Sequence, residues 1–355
     1  MFRYLLSVVV VVGLVVGPGA VEADVPAGPR LALIVSHPFP HAGSEVATVG
    51  LDGAAPLRLS GGSGLESVGP LVEGRPSWSA DGGLLAFVGI AGGGPPTVFT
   101  VHADGTRLRP LRESRRILFQ GPPVMAPDGG SVAVFRMDVV SGHFERSGTG
   151  SAGDQPLRVR TAIWSLDTDG RGLRPLTPWS QSRVLFPSSY SPDGSTLGAT
   201  EVRFHPDIGP RAVAIDLDSG RTVVLASHAR GPVYASDGRF AAVRSHIGKG
   251  KPPLEAEKVE SSDLLVGTPG QRPAKVLSMR HGFSWPSWDP SAQRISFTTL
   301  AGGQYGIPGL GRSGSVKQVN SDGSCLSTLL RPGRDFFGGA AWQPGPGRGA
   351  GRIAC

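Results

Sequence analysis

The sequence predicts an all-β fold, a six-bladed β-propeller of four-stranded blades, closed by a C-terminal strand that completes the first blade. Three observations predict it. The phrase "RPSWSADGGLLAF" (residues 75–87) recurs as "PVMAPDGGSVAVF", "SYSPDGSTLGA", "PVYASDGRFAAV" and "PSWDPSAQRISF", with a truncated copy, "AAWQPGPG", near the C-terminus. A second unit alternates with it, an apolar run broken by a turn: "SEVATVGLDGAAPLRLS", "TVFTVHADGTRLRPLR", "AIWSLDTDGRGLRPLT", "AVAIDLDSGRTVVLA", "DLLVGTPGQRPAKVLS" and "SVKQVNSDGSCLSTLL". Copies lie roughly 44–65 residues apart, near the period of propeller blades. Finally, 53 Gly and 32 Pro among 355 residues, with no collagen period, imply a fold made of many turns.

The first element is not part of the fold. Arg3, the apolar core Tyr4–Val16 and the small residues Val21 and Ala23 read as a signal peptide over residues 1–23, cleaved after Ala23. The core is shorter than the roughly 20 residues of a spanning helix. An uncleaved anchor is the alternative reading, and without it no spanning helix is expected. No Cys follows the core, so a lipid anchor is not expected. Residues 24–355 then form a single propeller domain.

Each repeat supplies four strands. In the best-written copy the first strand ends at Trp78 and turns at Asp81-Gly82. The second, Leu84–Gly89, is a near-continuous apolar run suited to burial on both faces. The third is Thr97–Ala103, and the fourth follows Asp104-Gly105. Asp-Gly is a strong hairpin signal because Gly accepts positive φ and Asp bonds its own turn. The same turn is expected at Asp128-Gly129, Asp193-Gly194 and Asp237-Gly238, whereas Ser291-Ala292 and Pro269-Gly270 stand where Asp-Gly would be. One slot of the repeat holds Trp78, Met125, Tyr190, Tyr234, Trp288 and Trp342. A large flat side chain there is expected to wedge between adjacent blades.

The order of copies predicts closure. The mature chain begins with second-strand material, "RLALIVS" (30–36), and ends with a first strand, 339–345, followed by a tail, 346–355. The last strand should therefore complete blade 1. Export would place the two cysteines where disulfides persist. A Cys325–Cys355 bond would tie down the tail, and two unrelated thiols are the alternative.

These phrases resemble the repeats of TolB-type six-bladed propellers, over about residues 30–345. The resemblance implies service in an envelope complex. TolB carries an α/β domain before its propeller, whereas only residues 24–29 precede the first strand here, so no such domain is expected. Similar propellers also precede the catalytic domain of prolyl-oligopeptidase-like peptidases. Only residues 346–355 follow the last strand, and no Gly-x-Ser-x-Gly elbow occurs, so no hydrolase domain is expected.

The remaining chemistry is sparse. His37 and His41 are four apart, but the prolines between them forbid the helix that would align them on a metal. Arg107, Arg109, Arg112, Arg115 and Arg116 crowd one segment; as outer-strand charges they protect an edge, and as a cluster they could hold an anion. The net charge of +7 suits an acidic envelope polymer or an anionic surface, or is simply an Arg-rich exterior. Nucleic acid is not expected for an exported protein.

The long insertions, 138–160 and 246–262, both join second to third strands, so they share the face opposite the tight turns. Loops on a rigid scaffold carry function. Arg146, Arg158, Lys249, Lys251 and Lys258 are the partner-binding candidates, with solvated loops as the alternative. The expected function is that of an exported, monomeric, non-catalytic module binding an envelope or extracellular protein or glycan, with no cofactor. The alternative is a metal-dependent lyase or lactonase-like enzyme with its site in the channel. That reading needs several carboxylates or imidazoles on or leading into the first strands, where Asp289 is the main one, with Glu73 and His281 in the links.

Overall fold

A computed structural model describes residues 28–37, 43–51, 56–60, 65–67, 75–91, 94–111, 122–141, 158–204, 209–247, 259–280, 282–299, 314–331, 336–345 and 351–355. The regular structure among them is β throughout, in six antiparallel sheets. From the axis outward, blade 1 is Phe336–Trp342, Arg30–His37, Gly43–Gly50 and Leu57–Arg58. Blade 2 is Ser77–Trp78, Leu84–Ala91, Thr97–His102 and Arg109–Pro110. Blade 3 is Val124–Met125, Ser131–Ser141, Arg158–Asp167 and Leu173–Pro175. Blade 4 is Arg183–Tyr190, Thr196–Arg203, Arg211–Asp216 and Thr222–Ser227. Blade 5 is Arg230–Tyr234, Phe240–Ile247, Val259–Gly267 and Ala274–Arg280. Blade 6 is Phe283–Trp288, Arg294–Thr299, Val316–Asn320 and Ser327–Leu330. The first strand of each blade touches that of the next all the way round, so these six line a central channel.

The closing strand pairs with the second strand of blade 1, Leu31 opposite Trp342 and Ser36 opposite Phe336. It spans Phe336–Trp342 rather than the expected 339–345. Its end is set by Pro344, which has no N–H to continue a ladder. The chain instead clamps blade 2, with Gln343 Nε2 donating to the Gly82 carbonyl at 2.7 Å. Blade 2 also carries an unforeseen piece: Leu65–Ser67 pairs with the far end of Leu84–Ala91, so its first strand is written in two parts. The long insertions are shorter than the sequence suggests. In blade 3 the ladder runs out to Ser141 opposite Arg158, and in blade 5 to Ile247 opposite Val259.

The core is divided among the seams between blades, one apolar cluster for each. Trp78 joins Ala32, Val46 and Ala341 of blade 1 to Leu85 and Phe87 of blade 2. Met125 serves blades 2 and 3, Tyr190 blades 3 and 4, Tyr234 blades 4 and 5, Trp288 blades 5 and 6, and Trp342 blades 6 and 1. The slot residue thus lies in or against an apolar cluster at all six seams. Burial pushes the phenols of Tyr190 and Tyr234 up to about 12.

Polar contacts at the seams alternate around the ring. The residue before the slot is Ser77, Ser189 and Ser287 in blades 2, 4 and 6, but Ala341, Val124 and Val233 in blades 1, 3 and 5. Each of those serine hydroxyls accepts from the slot amide of the following blade: Met125 at 2.9 Å, Tyr234 at 2.9 Å and Trp342 at 3.2 Å. At two of the other seams the following blade again donates, now from an indole N–H to a backbone carbonyl. Trp78 Nε1 donates to the Ala341 carbonyl at 3.2 Å, and Trp288 Nε1 to that of Val233 at 3.0 Å.

The first–second turns follow one design. Gly82, Gly129, Gly194 and Gly238 take φ between 69° and 83°, and Asp81, Asp128, Asp193 and Asp237 each accept from the amide two residues on. In blade 6 the parts are exchanged. Asp289 stands where Ser79 stands, Ser291 where Asp81 does, and Ala292 adopts φ 56° in place of glycine. The fifth hairpin turns through Pro269-Gly270, with Gly270 at φ 83° and Gln271 N bonded to the Thr268 carbonyl. Pro and Gly there meet the demands of a type II turn.

The tail returns to blade 6. Asn320 brackets Ile353, accepting from its amide at 2.7 Å and donating to its carbonyl at 3.0 Å. Arg352 bonds Asp322 at 2.6 Å, and a disulfide joins Cys325 to Cys355 with Cα atoms 5.1 Å apart. Arg352 is the first cause holding the Asp322 carboxyl below its ordinary range.

Two predictions follow from closure. Trp78→Ala should lower unfolding free energy in urea by about 3–5 kcal/mol, the cost of emptying an aromatic core site. Cys355→Ser should lower it by about 3–4 kcal/mol, the loop-closure entropy of the lost crosslink. Unchanged urea midpoints would contradict both.

Candidate functional site

One face of the ring is spent on turns. The Ser79 hydroxyl donates to Asp81 at 2.5 Å and that of Ser191 to Asp193 at 2.6 Å. With the turn amides, these bonds hold both carboxyls below their ordinary range, the hydroxyl first in each case. Asp289, just beyond the first strand of blade 6, is buried and caps the blade 6 turn. Its Oδ1 accepts from Gln293 N at 2.9 Å and Arg294 N at 2.7 Å, and its Oδ2 from Ser291. These residues shape the fold.

The opposite face holds two groups of ion pairs. Of the candidates there, Arg146, Lys249, Lys251 and Lys258 lie outside the described residues. Arg158 is described and exposed, on a strand rather than in the loop where the sequence places it, because the blade 3 ladder extends to it. Beside it the structure assembles groups that sequence reasoning missed. Asp138 accepts from Arg136 at 3.3 Å and Arg160 at 3.2 Å. Arg136 lies over Trp164 at 4.4 Å, and Arg160 over Trp179 at 4.5 Å. In blade 4 the buried Glu201 meets Arg183 at 3.2 Å, Arg203 at 3.5 Å and the Nε of Arg211 at 2.7 Å. Burial alone would raise the Glu201 pKa. The hydrogen bonds from Arg211 and Arg183 and the charges of Arg211 and Arg203 outweigh it, so the carboxyl sits below its ordinary value. These groups come from different strands, and only the ladder register brings them together.

A third feature lies on the axis. Four first strands carry a register shift in mid-course, in blades 1, 4, 5 and 6. The position three before the aromatic slot is Gly339, Arg75, Pro122, Pro187, Gly231 and Trp285 in blades 1 to 6. Arg75 of blade 2 donates from Nη1 to the Pro286 carbonyl of blade 6 at 2.8 Å. It thereby reaches past blade 1, which only a side chain on the axial side of the ring can do. Gly339 makes room for it, since a Cβ there would lie 2.8 Å from that of Arg75. No described carboxylate pairs with Arg75, and burial pushes its pKa down to about 10. Trp285 holds φ 55°, a strained choice for an aromatic residue, with its ring beside Gly231. At this position the six blades thus present one cation and one indole among glycines and prolines.

Among the described residues, no group of three or more His, Cys, Asp or Glu converges as metal ligands would, and no helix is long and apolar enough to cross a membrane. His41, the His37 side chain, Glu73, His281, Arg112, Arg115 and Arg116 lie outside what is described, as do residues 1–23.

No family model matches the sequence, and no curated protein matches it. Solved structures match in fold. TolB from Acinetobacter baumannii aligns with a TM-score of 0.61 at 17% identity, over 89% of this chain and 67% of that one. A protein assigned as TolB from Agrobacterium tumefaciens aligns at 0.51 and 16% identity, over 88% and 91%. Hydrazine synthase from Kuenenia stuttgartiensis aligns at 0.58 and 12% identity, over 90% of this chain but 46% of that one. The chain is a TolB-like six-bladed β-propeller in fold.

Glu201→Gln should cost about 1–3 kcal/mol at pH 7, less than a fully buried pair because its arginines are part-exposed. The folded carboxyl has a depressed pKa, so its contribution is present above the unfolded value of about 4.3 and is lost as pH falls through the folded one. The gap between wild type and variant in urea stability should therefore narrow progressively as pH falls below about 4. A gap of constant size down to pH 2 would contradict this.

Proposed function

We propose that this chain is an exported, non-catalytic propeller that binds an acidic protein or glycan in the cell envelope or outside the cell. The long-loop face is its contact surface. The observation that carries the reading is the surplus of guanidinium groups on that face. Glu201 is met by three arginines and Asp138 by two, while Arg158 stands exposed beside them. Arg75 sets a further cation on the axis. Fixed positive charge on a rigid rim steers an acidic partner and selects its orientation.

Export is supported by the signal-like residues 1–23 and by the Cys325–Cys355 bond, a type of crosslink that persists in oxidising compartments. The fold shared with TolB is in keeping with an envelope role and does not select a partner. The channel-enzyme alternative loses its main carboxylate, since Asp289 is committed to the blade 6 turn. The protein is expected to act as a monomer without a cofactor.

Capture from an envelope extract by the mature protein, residues 24–355, tests the reading. Deleting residues 249–258 leaves Val259, which is buried and paired with Ile247, in place. Capture should fall in that variant and in Arg158→Glu, and should weaken as salt rises from about 0.1 M to 0.5 M. Capture that is indifferent to all three would sink the proposal.

A further inference from the structure

A cleft of about 550 Å³ opens at the seam of blades 4 and 5, lined by Ser227, His228, Arg244, Ser245 and His246. Ser227 ends the outer strand of blade 4, His228 is in the link to blade 5, and Arg244 to His246 close the second strand of blade 5. The cleft therefore belongs to the long-loop side, where strands of both blades run out.

Its groups are fixed by their surroundings. Arg244 crosses the seam to donate from Nη2 to the Ser227 carbonyl at 3.3 Å, and its Nε is buried with no hydrogen-bond partner. The carboxylate nearest along the ladder is Asp263, directly opposite Arg244. That acid is already committed: Oδ1 accepts from Ser278 at 2.6 Å and Oδ2 contacts His246 Nε2 at 2.9 Å. Burial would raise its pKa, but the bonds from Ser278 and His246 hold it down, so Asp263 is an anion that orients His246. His246 meets Asp263 through Nε2, and its Nδ1 donates to an anion only when the ring carries both protons. His228 stands at φ 53° with its ring against Gly209, where a Cβ would come within 2.6 Å of Nδ1. The turn and the missing side chain at Gly209 together set the position of this imidazole.

A guanidinium with no carboxylate partner among the described residues, two positioned imidazoles and two serines thus line one cavity from two blades. We infer that the cleft is a binding site for a phosphate-class oxyanion, either free phosphate or the phosphate group of a small ester. Three-dimensional convergence of donors suits a tetrahedral anion better than a planar carboxylate, which Arg alone would take in its fork. The ligand bridges the link and the second strand of blade 5, so it also clasps the seam.

Isothermal titration of the mature protein with inorganic phosphate, glycerol 3-phosphate and acetate tests this. Saturable binding is expected for one or both phosphates, and acetate should bind at least about tenfold more weakly. Glycerol 3-phosphate binding more tightly than inorganic phosphate identifies the ester as the ligand, and the reverse order identifies free phosphate. Arg244→Met should weaken phosphate binding by about 10- to 100-fold, the range of a charge-assisted hydrogen bond. His228→Asn keeps the left-handed link, which Asn tolerates, and so guards against loss of folding; it should weaken binding severalfold. Arg171→Met, on the turn face, should leave binding unchanged. Equal affinity for acetate and phosphate, absence of saturable binding, or full affinity in both cleft variants would overturn the site.

Discussion

Everything in this molecule depends on one pairing, that of the last strand with the first. Phe336–Trp342 supplies blade 1 with its innermost strand, and without it Arg30–His37 would present an open edge to the channel. A propeller has no single core; its apolar residues are shared among seams, each needing both neighbours. Opening the ring at blade 1 exposes the Trp78 seam on one side and the Trp342 seam on the other. The disulfide and the Asn320 bracket then matter because they hold the chain end that performs the closure. Gln343, clamped on Gly82, carries the lock from blade 1 into blade 2.

The fold was legible in the sequence because its determinants are local and repeated. Asp81-Gly82 makes its turn from its own side chain and φ, and the slot residues recur at blade spacing, so six copies reinforce one reading. Even the blade 6 departure is conservative, as Asp289 and Ser291 exchange roles while Ala292 takes the left-handed position. What remained hidden is what depends on register. Glu201 gathers arginines from three strands, and nothing along the chain announces that Arg183, Arg203 and Arg211 share one carboxylate. Nor does any local signal mark Arg75 as axial. A signal existed only by comparison between repeats, where glycine in two blades faces Arg75 and Trp285 in two others.

The candidate sites divide by how the fold treats charge. On the turn face, carboxylates are consumed locally by the hydroxyls and amides of their own turns, which stiffens the turns. On the long-loop face, arginines outnumber the acids they contact, and the second strands of blades 3 and 5 extend beyond the expected hairpins to display them. The seam of blades 4 and 5 repeats the theme at smaller scale, where Asp263 is spent on His246 and Ser278 and no other described carboxylate meets Arg244. A scaffold of this kind separates its duties by face, so changes in the loops need not disturb the turns.

The alternation of seams has a consequence for how such a ring can grow. Serine hydroxyls receive the next blade's amide at every second seam, and apolar residues stand between. The unit of construction is therefore a pair of blades, and the ring has approximate threefold rather than sixfold character. Adding or removing a single blade would set two like seams side by side and leave a tryptophan N–H or a serine hydroxyl facing the wrong neighbour. Adding or removing two would not.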